Sequence, residues 1–224
     1  MTANALNNAR NGVKRNMAID YKKTEKELYQ PQTTPSIIDV PEMTYIAVNG
    51  KGDPNTSAEY AAAIEVLYGL SYAIKMGNKE ILEYVVPPLE GLWDIDGGFD
   101  KDKPIIAGKS KLEWTALIRQ PDFVTTEVFE AAKTALAKKK SGLDLSKARL
   151  IKITEGLCVQ VMHIGSYDDE PATIAVMEKY AVDNGYAIDI NDTRRHHEIY
   201  LSDPRKVVAE KLKTVLRHPI RKKG

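Results

Sequence analysis

The chain has 224 residues, 43% hydrophobic and 28% charged, with 32 basic and 31 acidic side chains for a net charge of +1. This is the composition of a globular protein with ample apolar content for a core, and its neutral balance gives no basis for duplex nucleic-acid binding, which normally needs a clustered basic face. No apolar run approaches a membrane span, no signal-peptide core opens the chain, and the lone Cys158 excludes an intramolecular disulfide framework, so the cytoplasm is the expected compartment.

Residues 1–34 read as an extension, disordered over the Asn- and Ala-rich stretch 1–16, with Met17 a candidate natural start. Tyr21 to Gln30 has the pattern of a short amphipathic helix ended by Pro31. Ser36 to Val48 is apolar and β-branched but interrupted by Pro41, which predicts an edge-like strand with a bend. Gly50 to Asn55 is a turn, and Thr56 or Ser57 caps a helix running to Met76, with Tyr60, Ile64, Leu67 and Tyr68 at helical spacing. Glu83 to Trp93 and Lys111 to Arg119 form a hairpin joined by a Gly- and Lys-rich insertion, Gly97 to Lys109. A helix from Thr125 to Lys140 follows, its basic end suiting the negative pole of its dipole, and Gly142 stops it.

The second half repeats this grammar. Leu150 to Ile164 predicts a strand with a bulge or kink at Glu155-Gly156. Pro171 opens a helix ending near Gly185, and His196 to Leu201 and Lys213 to Arg217 are two more strands. The fold class is α+β: duplicated strand-helix-strand-strand units, antiparallel sheet, helices on one face and a central ligand cleft. The domain spans 35–220, with pseudo-repeats at about 35–121 and 149–220. Faint matches mark the duplication. Arg119-Gln120-Pro121 answers Arg217-His218-Pro219, and Glu90 before Trp93 answers Glu198 before Tyr200. Glu90 precedes Arg119 by 29 positions and Glu198 precedes Arg217 by 19, the excess falling in the insertion. A cleft at the axis between two such units is a natural ligand site, because each half supplies a wall.

The chemistry-bearing residues are few. Gly50-Lys51-Gly52-Asp53 lacks the context of a phosphate loop and reads as a turn. His196-His197-Glu198 offers metal-ligand types, but adjacent strand side chains point to opposite faces and no cysteine pair completes a tetrahedron. No metal or cofactor is expected. Cys158 and His163 are five apart, facing opposite ways on a strand, so Cys158 reads as a small core residue. Glu155 and Glu198 each lie in an apolar strand. They are either solvent-facing carboxylates or a pair in a hydrophobic cavity, where desolvation and mutual repulsion keep one protonated for acid/base work. Trp93 and Trp114 share one hairpin, Tyr68 and Tyr72 share a helical face, and Tyr167 lies in the turn Gly165 to Asp169 ahead of the helix that Pro171 opens. Core packing explains any one of them. Together with the glutamates they suggest an aromatic-walled pocket for a flat apolar ligand.

Several longer segments resemble the stand-alone GyrI-like small-molecule-binding proteins: PSIIDVP at 35–41, GKGDP at 50–54, YVVPPLEGLW at 84–93, Glu155-Gly156, HIGSYDDEP at 163–171 and HHEIYLSDPRK at 196–206. The likeness runs from Ser36 to Ile220. It implies a duplicated fold around a central cleft, related to effector-binding domains of multidrug-sensing transcription regulators. Some members of this family are cyclopropanoid hydrolases, which open the reactive ring of DNA-alkylating antibiotics with water. For this chain the resemblance implies Glu155 and Glu198 as the acid/base pair, with the tryptophans and tyrosines holding a planar, hydrophobic or cationic aromatic ligand. The family also contains pure binders, so two functions stand: a detoxifying hydrolase, or a module that sequesters or senses amphipathic compounds. A transcription regulator fits less well, because about 35 residues ahead of the domain are too few for a DNA-binding unit. Nothing in the composition points to a gyrase-inhibiting role. No nucleic-acid or membrane partner is expected, and the oligomeric state is left open.

Overall fold

The computed structural model describes residues 18–95 and 112–224. Two four-residue helices, α1 (Tyr21–Thr24) and α2 (Lys26–Tyr29), precede β1 (Ser36–Lys51), α3 (Ala58–Gly77), β2 (Leu89–Ile95), β3 (Leu112–Gln120) and α4 (Thr126–Lys139). The chain continues through β4 (Arg149–Ile164), α5 (Glu170–Asp183), β5 (Tyr186–Ile188), β6 (His196–Tyr200) and β7 (Lys213–Lys222). The strands pair antiparallel in the order β4-β1-β3-β2-β6-β7-β5, and a further β4–β7 pairing closes the sheet on itself. The class is therefore α+β, as read from the sequence, with closure removing the edges that an open sheet would expose.

Closure divides the packing in two. Side chains from β1, β3, β4, β6 and β7 that share the inward face, among them Tyr45, Ala47, Leu117, Cys158, Ile199 and Val215, meet one another and Leu28 and Tyr29 of α2. The outward face is covered by α3 and α4 over the first unit and by α5 over the second. Local chemistry places these helices. Ser57 Oγ accepts from Tyr60 N–H to start α3, and Tyr60, Ala63, Leu67, Leu70 and Ile74 recur at helical spacing as its buried stripe. Thr125 caps α4 in the same way.

The N-terminal segment differs from its expected single helix. Glu25 leaves helical geometry (φ −120°, ψ 59°) and separates α1 from α2. Its carboxylate pairs with Arg119, and Leu28 O and Glu27 O accept from Arg217 and Gln160. The segment is thus tied to the inward residues of both units. The insertion 97–109 and residues 1–16 lie outside the described residues.

β1 is less edge-like than expected, being paired with β4 and, from Thr44 onward, with β3. Pro41 falls before β3 begins to pair, so its missing N–H takes nothing from the β1–β3 ladder. Across from the neighbouring Val40, Gly156 takes φ 63°, yet the β1–β4 register continues unbroken on both sides. The kink is present and the bulge is not.

Each half runs strand, helix, strand, strand, with β5 added in the second. Arg119 lies opposite Tyr45 of β1, and Arg217 lies opposite Gln160 of β4, so the two arginines hold corresponding places. The glutamates do not. Glu90 faces Leu117, two residues from Arg119, whereas Glu198 faces Leu216, one residue from Arg217. Because strand side chains alternate, a one-residue offset reverses the face. Glu90 shares the arginine's inward face, and Glu198 points outward.

Candidate functional site

β6 sends its alternate residues into two different environments. His196, Glu198 and Tyr200 point outward, toward the ground between α3 and the start of α5, while His197 and Ile199 point inward. On the outward side a chain of hydrogen bonds converges on Glu198. Trp93 Nε1–H donates to Tyr200 Oη (3.0 Å), Tyr200 O–H donates to Glu198 Oε2 (2.6 Å), and His196 Nε2 meets Glu198 Oε1 (2.9 Å). Tyr60 packs edge-on to Trp114 at 4.9 Å and tilted to Trp93 at 6.0 Å, and Tyr167 packs edge-on to Tyr200 at 5.9 Å. Gly91, directly opposite Glu198, makes this possible. A Cβ there would stand 2.6 Å from Trp93 Nε1 and 3.0 Å from Tyr200 Oη.

A second carboxyl joins the cluster. Glu170, at the first turn of α5, is buried beside Glu198 and Thr214. Burial first, and then the charge of Glu198, push its carboxyl well above the usual carboxylate range. A helix N-terminus normally favours an anion by about 0.3–1 kcal/mol, but desolvation beside a like charge is the larger effect. Glu170 is therefore the carboxyl of the two that is pushed toward keeping its proton. Its Oε1 and the neighbouring Thr214 hydroxyl are buried without a hydrogen bond of good geometry. Burial and the nearby carboxylates also push the Tyr167 phenol up to about 12. Burial and the charge of Glu198 raise Tyr200 as well.

The inward side is chemically opposite. His197 Nδ1 bonds Glu155 Oε2 and its Nε2 bonds Glu90 Oε2, both at 2.9 Å, and Arg217 Nη1 donates to Glu155 Oε1 at 2.8 Å. Burial alone would raise the Glu155 carboxyl, but His197 and Arg217 pull it down to about 2. Burial opposes charge on His197 too, and the two carboxylates overcome it, raising His197 to about 9. Every member has a partner of opposite charge.

Glu155 and Glu198, expected to share one cavity, are thus not brought together, since they bond to adjacent residues on opposite faces of β6. The physical reason is the period of two along a strand. Of the expected aromatics, Trp93 and Tyr167 lie beside Glu198. Trp114 is behind Trp93, 1% exposed, and packs as core. Tyr68 lies further along α3, hydrogen-bonded to the backbone at Leu89 and stacked on Tyr72, which is 52% exposed. The sequence reading passed over Glu170, Tyr200, Tyr60 and His196 as site residues. The signal was there for three of them: Glu170 closes the HIGSYDDEP segment, and His196 and Tyr200 flank Glu198 at the same-face spacing of two.

Among the described residues no group of three histidine, cysteine, aspartate or glutamate side chains is arranged to hold a metal ion. Cys158 faces inward, its thiol pushed up to about 12 by burial, while His163 bonds Thr173 and the Ser166 carbonyl on the outer side. No helix among the described residues is long and apolar enough to cross a membrane.

The structure is thus an α+β closed sheet with helices over its outward face, where carboxyls and aromatic rings gather beside β6. The GyrI-like small molecule binding domain matches residues 120–221, from the end of β3 through β7. A crystal structure of an uncharacterized conserved protein from Listeria innocua is similar at 44% identity and TM-score 0.84, covering 91% of this chain and 100% of its own. A hydrolase from Listeria innocua is similar at 42% identity and TM-score 0.82, with the same coverage. The C-terminal domain of EcmrR shares the fold at 14% identity, TM-score 0.52, over 85% of this chain and 98% of that domain. A comparison with curated proteins found no match. This chain belongs to the GyrI-like small-molecule-binding family.

Proposed function

We propose that this protein binds flat, hydrophobic or cationic aromatic compounds against Trp93, Tyr60, Tyr167 and Tyr200, and adds water to cyclopropanoid DNA-alkylating agents in the cytoplasm, protecting the cell. The observation that carries this reading is the buried Glu170 carboxyl beside Glu198 in an aromatic setting. The fold units 35–121 and 149–220 act as one binding domain, each supplying one wall. The similarity to a protein described as a hydrolase adds support for turnover.

The chemistry needs a proton delivered to the carbonyl oxygen conjugated with the strained ring, and a nucleophile at the ring carbon. Glu170 gives its proton to that oxygen while Glu198 takes one from the attacking water. The new carbon–oxygen bond forms as the ring carbon–carbon bond breaks, and its electron pair flows to the oxygen, which becomes a phenol. Proton transfer from Glu198 back to Glu170 restores the pair. Two carboxyls of opposite protonation state are what such general acid/base work requires. Glu155, held as an anion by Arg217 and His197, is assigned to holding the sheet together. The second reading, a non-catalytic binding or sequestering module, draws on the exposed Tyr72 stacked on Tyr68, an aromatic surface away from the carboxylates.

The test is a water-addition assay, read by mass spectrometry, on a cyclopropane-bearing alkylator. Wild type should add water above the spontaneous rate. Glu198→Gln and Glu170→Gln should each bind the compound but lose about 10²–10⁴-fold in rate. Tight binding by wild type with no water addition would establish the binding module instead.

A further inference from the structure

Behind Glu198 runs a second line of hydrogen bonds that the reaction above does not use. His196 Nδ1 lies 2.7 Å from His218 Nε2, and His218 Nδ1 lies 3.0 Å from Glu178 Oε1 on α5. Both imidazoles are buried, whereas the Glu178 side chain is 36% exposed. Among the described residues, the titratable groups facing this line include Glu198 and Tyr200 on β6, and Glu170 and Glu178 on α5.

Donor and acceptor roles are fixed from both ends. A carboxylate only accepts, so His218 presents its Nδ1 proton to Glu178. Burial, with the neighbouring His196 adding to it, lowers His218 to about 4, so it is neutral and its Nε2 is a bare acceptor. His196 must then donate through Nδ1. At the other end an indole N–H only donates, so Tyr200 accepts from Trp93 and spends its own hydrogen on Glu198 Oε2. One contact remains, His196 Nε2 to Glu198 Oε1 at 2.9 Å, and it needs one proton. The short 2.6 Å bond from Tyr200 marks Glu198 as the charged acceptor, which leaves that proton on His196.

We propose that Glu178, His218 and His196 form a positioning line that keeps His196 doubly protonated and Glu198 ionised, so that Glu198 is the base and Glu170 the acid. The logic is that of a carboxylate orienting a histidine through its far nitrogen, extended by one ring to the protein surface. The catalytic consequence rests on the hydrolase reading, but the protonation pattern does not.

The test is two-bond ¹H–¹⁵N spectroscopy of histidine-labelled protein at pH 7. Wild type should show His218 as the neutral Nδ1–H tautomer and His196 protonated at both nitrogens. Glu178→Gln keeps an acceptor oxygen and should keep that pattern. Glu178→Lys offers only donors, which should move the His218 proton to Nε2 and leave His196 neutral. In the water-addition assay Glu178→Lys should then fall at least about tenfold below Glu178→Gln, with ligand affinity retained. A singly protonated His196 or an Nε2–H His218 in wild type would overturn the proposal, as would an unaltered pattern in Glu178→Lys. Wild type that shows the expected pattern but adds no water would defeat the hydrolase reading and leave the line standing.

Discussion

Two carboxylate clusters flank β6, and they differ in what neutralises them. On the inward side Glu155 and Glu90 face His197 and Arg217, so burial is offset by opposite charge and the cluster ties α2, β2, β4, β6 and β7 together. On the outward side Glu198 meets His196 and Tyr200 and also faces another carboxyl, Glu170, amid tyrosines and a tryptophan. A fully paired buried network is the pattern of a structural element. Two carboxyls buried side by side, with burial and the neighbouring charge raising one of them, are the pattern of a site prepared for chemistry.

Stability should separate the two most sharply. Glu155→Gln leaves Arg217 and His197 buried with an unmatched charge, and breaking such a pair typically removes about 3–5 kcal/mol. Glu198→Gln removes the partner of His196, which can shed its extra proton as Arg217 cannot, and relieves the crowding with Glu170, so it should change stability by no more than about 1–2 kcal/mol. Denaturant unfolding of the two variants checks this, and equal losses would erase the distinction.

The pH profile separates them next. His197 is held protonated up to about 9 against an ordinary 6.5, so its contribution is complete below about 6.5 and is lost as pH rises through 9. Glu155, lowered from 4.5 to about 2, contributes above 4.5 and loses that contribution as pH falls toward 2. His218, lowered from 6.5 to about 4, favours the folded state above 6.5 and loses that advantage as pH falls to 4. Stability should therefore peak near pH 6.5, and His197→Gln should flatten the alkaline limb while leaving any acid/base profile of turnover in place.

Ligand reporting is the smaller effect. Trp93, tied to Tyr200, should supply the tryptophan quenching seen with a dye-like aromatic, and Trp93→Phe should reduce affinity by about 0.5–1.5 kcal/mol while removing most of that signal. Trp114→Phe should leave binding nearly intact. Trp114→Ala would instead open a cavity in the core at about 3–5 kcal/mol and say little about the ligand.

The strand-helix-strand-strand grammar was legible because hydrophobic periodicity, Pro171, Ser57 and Thr125 are local signals. Sheet closure was not, since the β4–β7 pairing joins segments about fifty residues apart and leaves no trace in either. Glu198 could be read from its flanking apolar strand. Its partner could not, because Glu155 and Glu170 look equally good in sequence. What separates them is which face of β6 each one meets, and Arg217 settles that for Glu155 from β7. The apparent match of Glu90 with Glu198 misled in the same way. Two strands may align by residue type and still differ by one position in register, and one position is the difference between the inside and the outside of this sheet.

The most direct measurement is a crystal structure with a flat cationic aromatic bound. The ring should lie against Trp93, Tyr167 and Tyr200, with the Glu198 and Glu170 carboxyls reaching it and α1–α2 still seated over Glu155 and Arg217. A ligand found inside the sheet beside Glu155 and Glu90, with α1–α2 displaced and the Glu198 cluster unchanged, would contradict the assignment of the site.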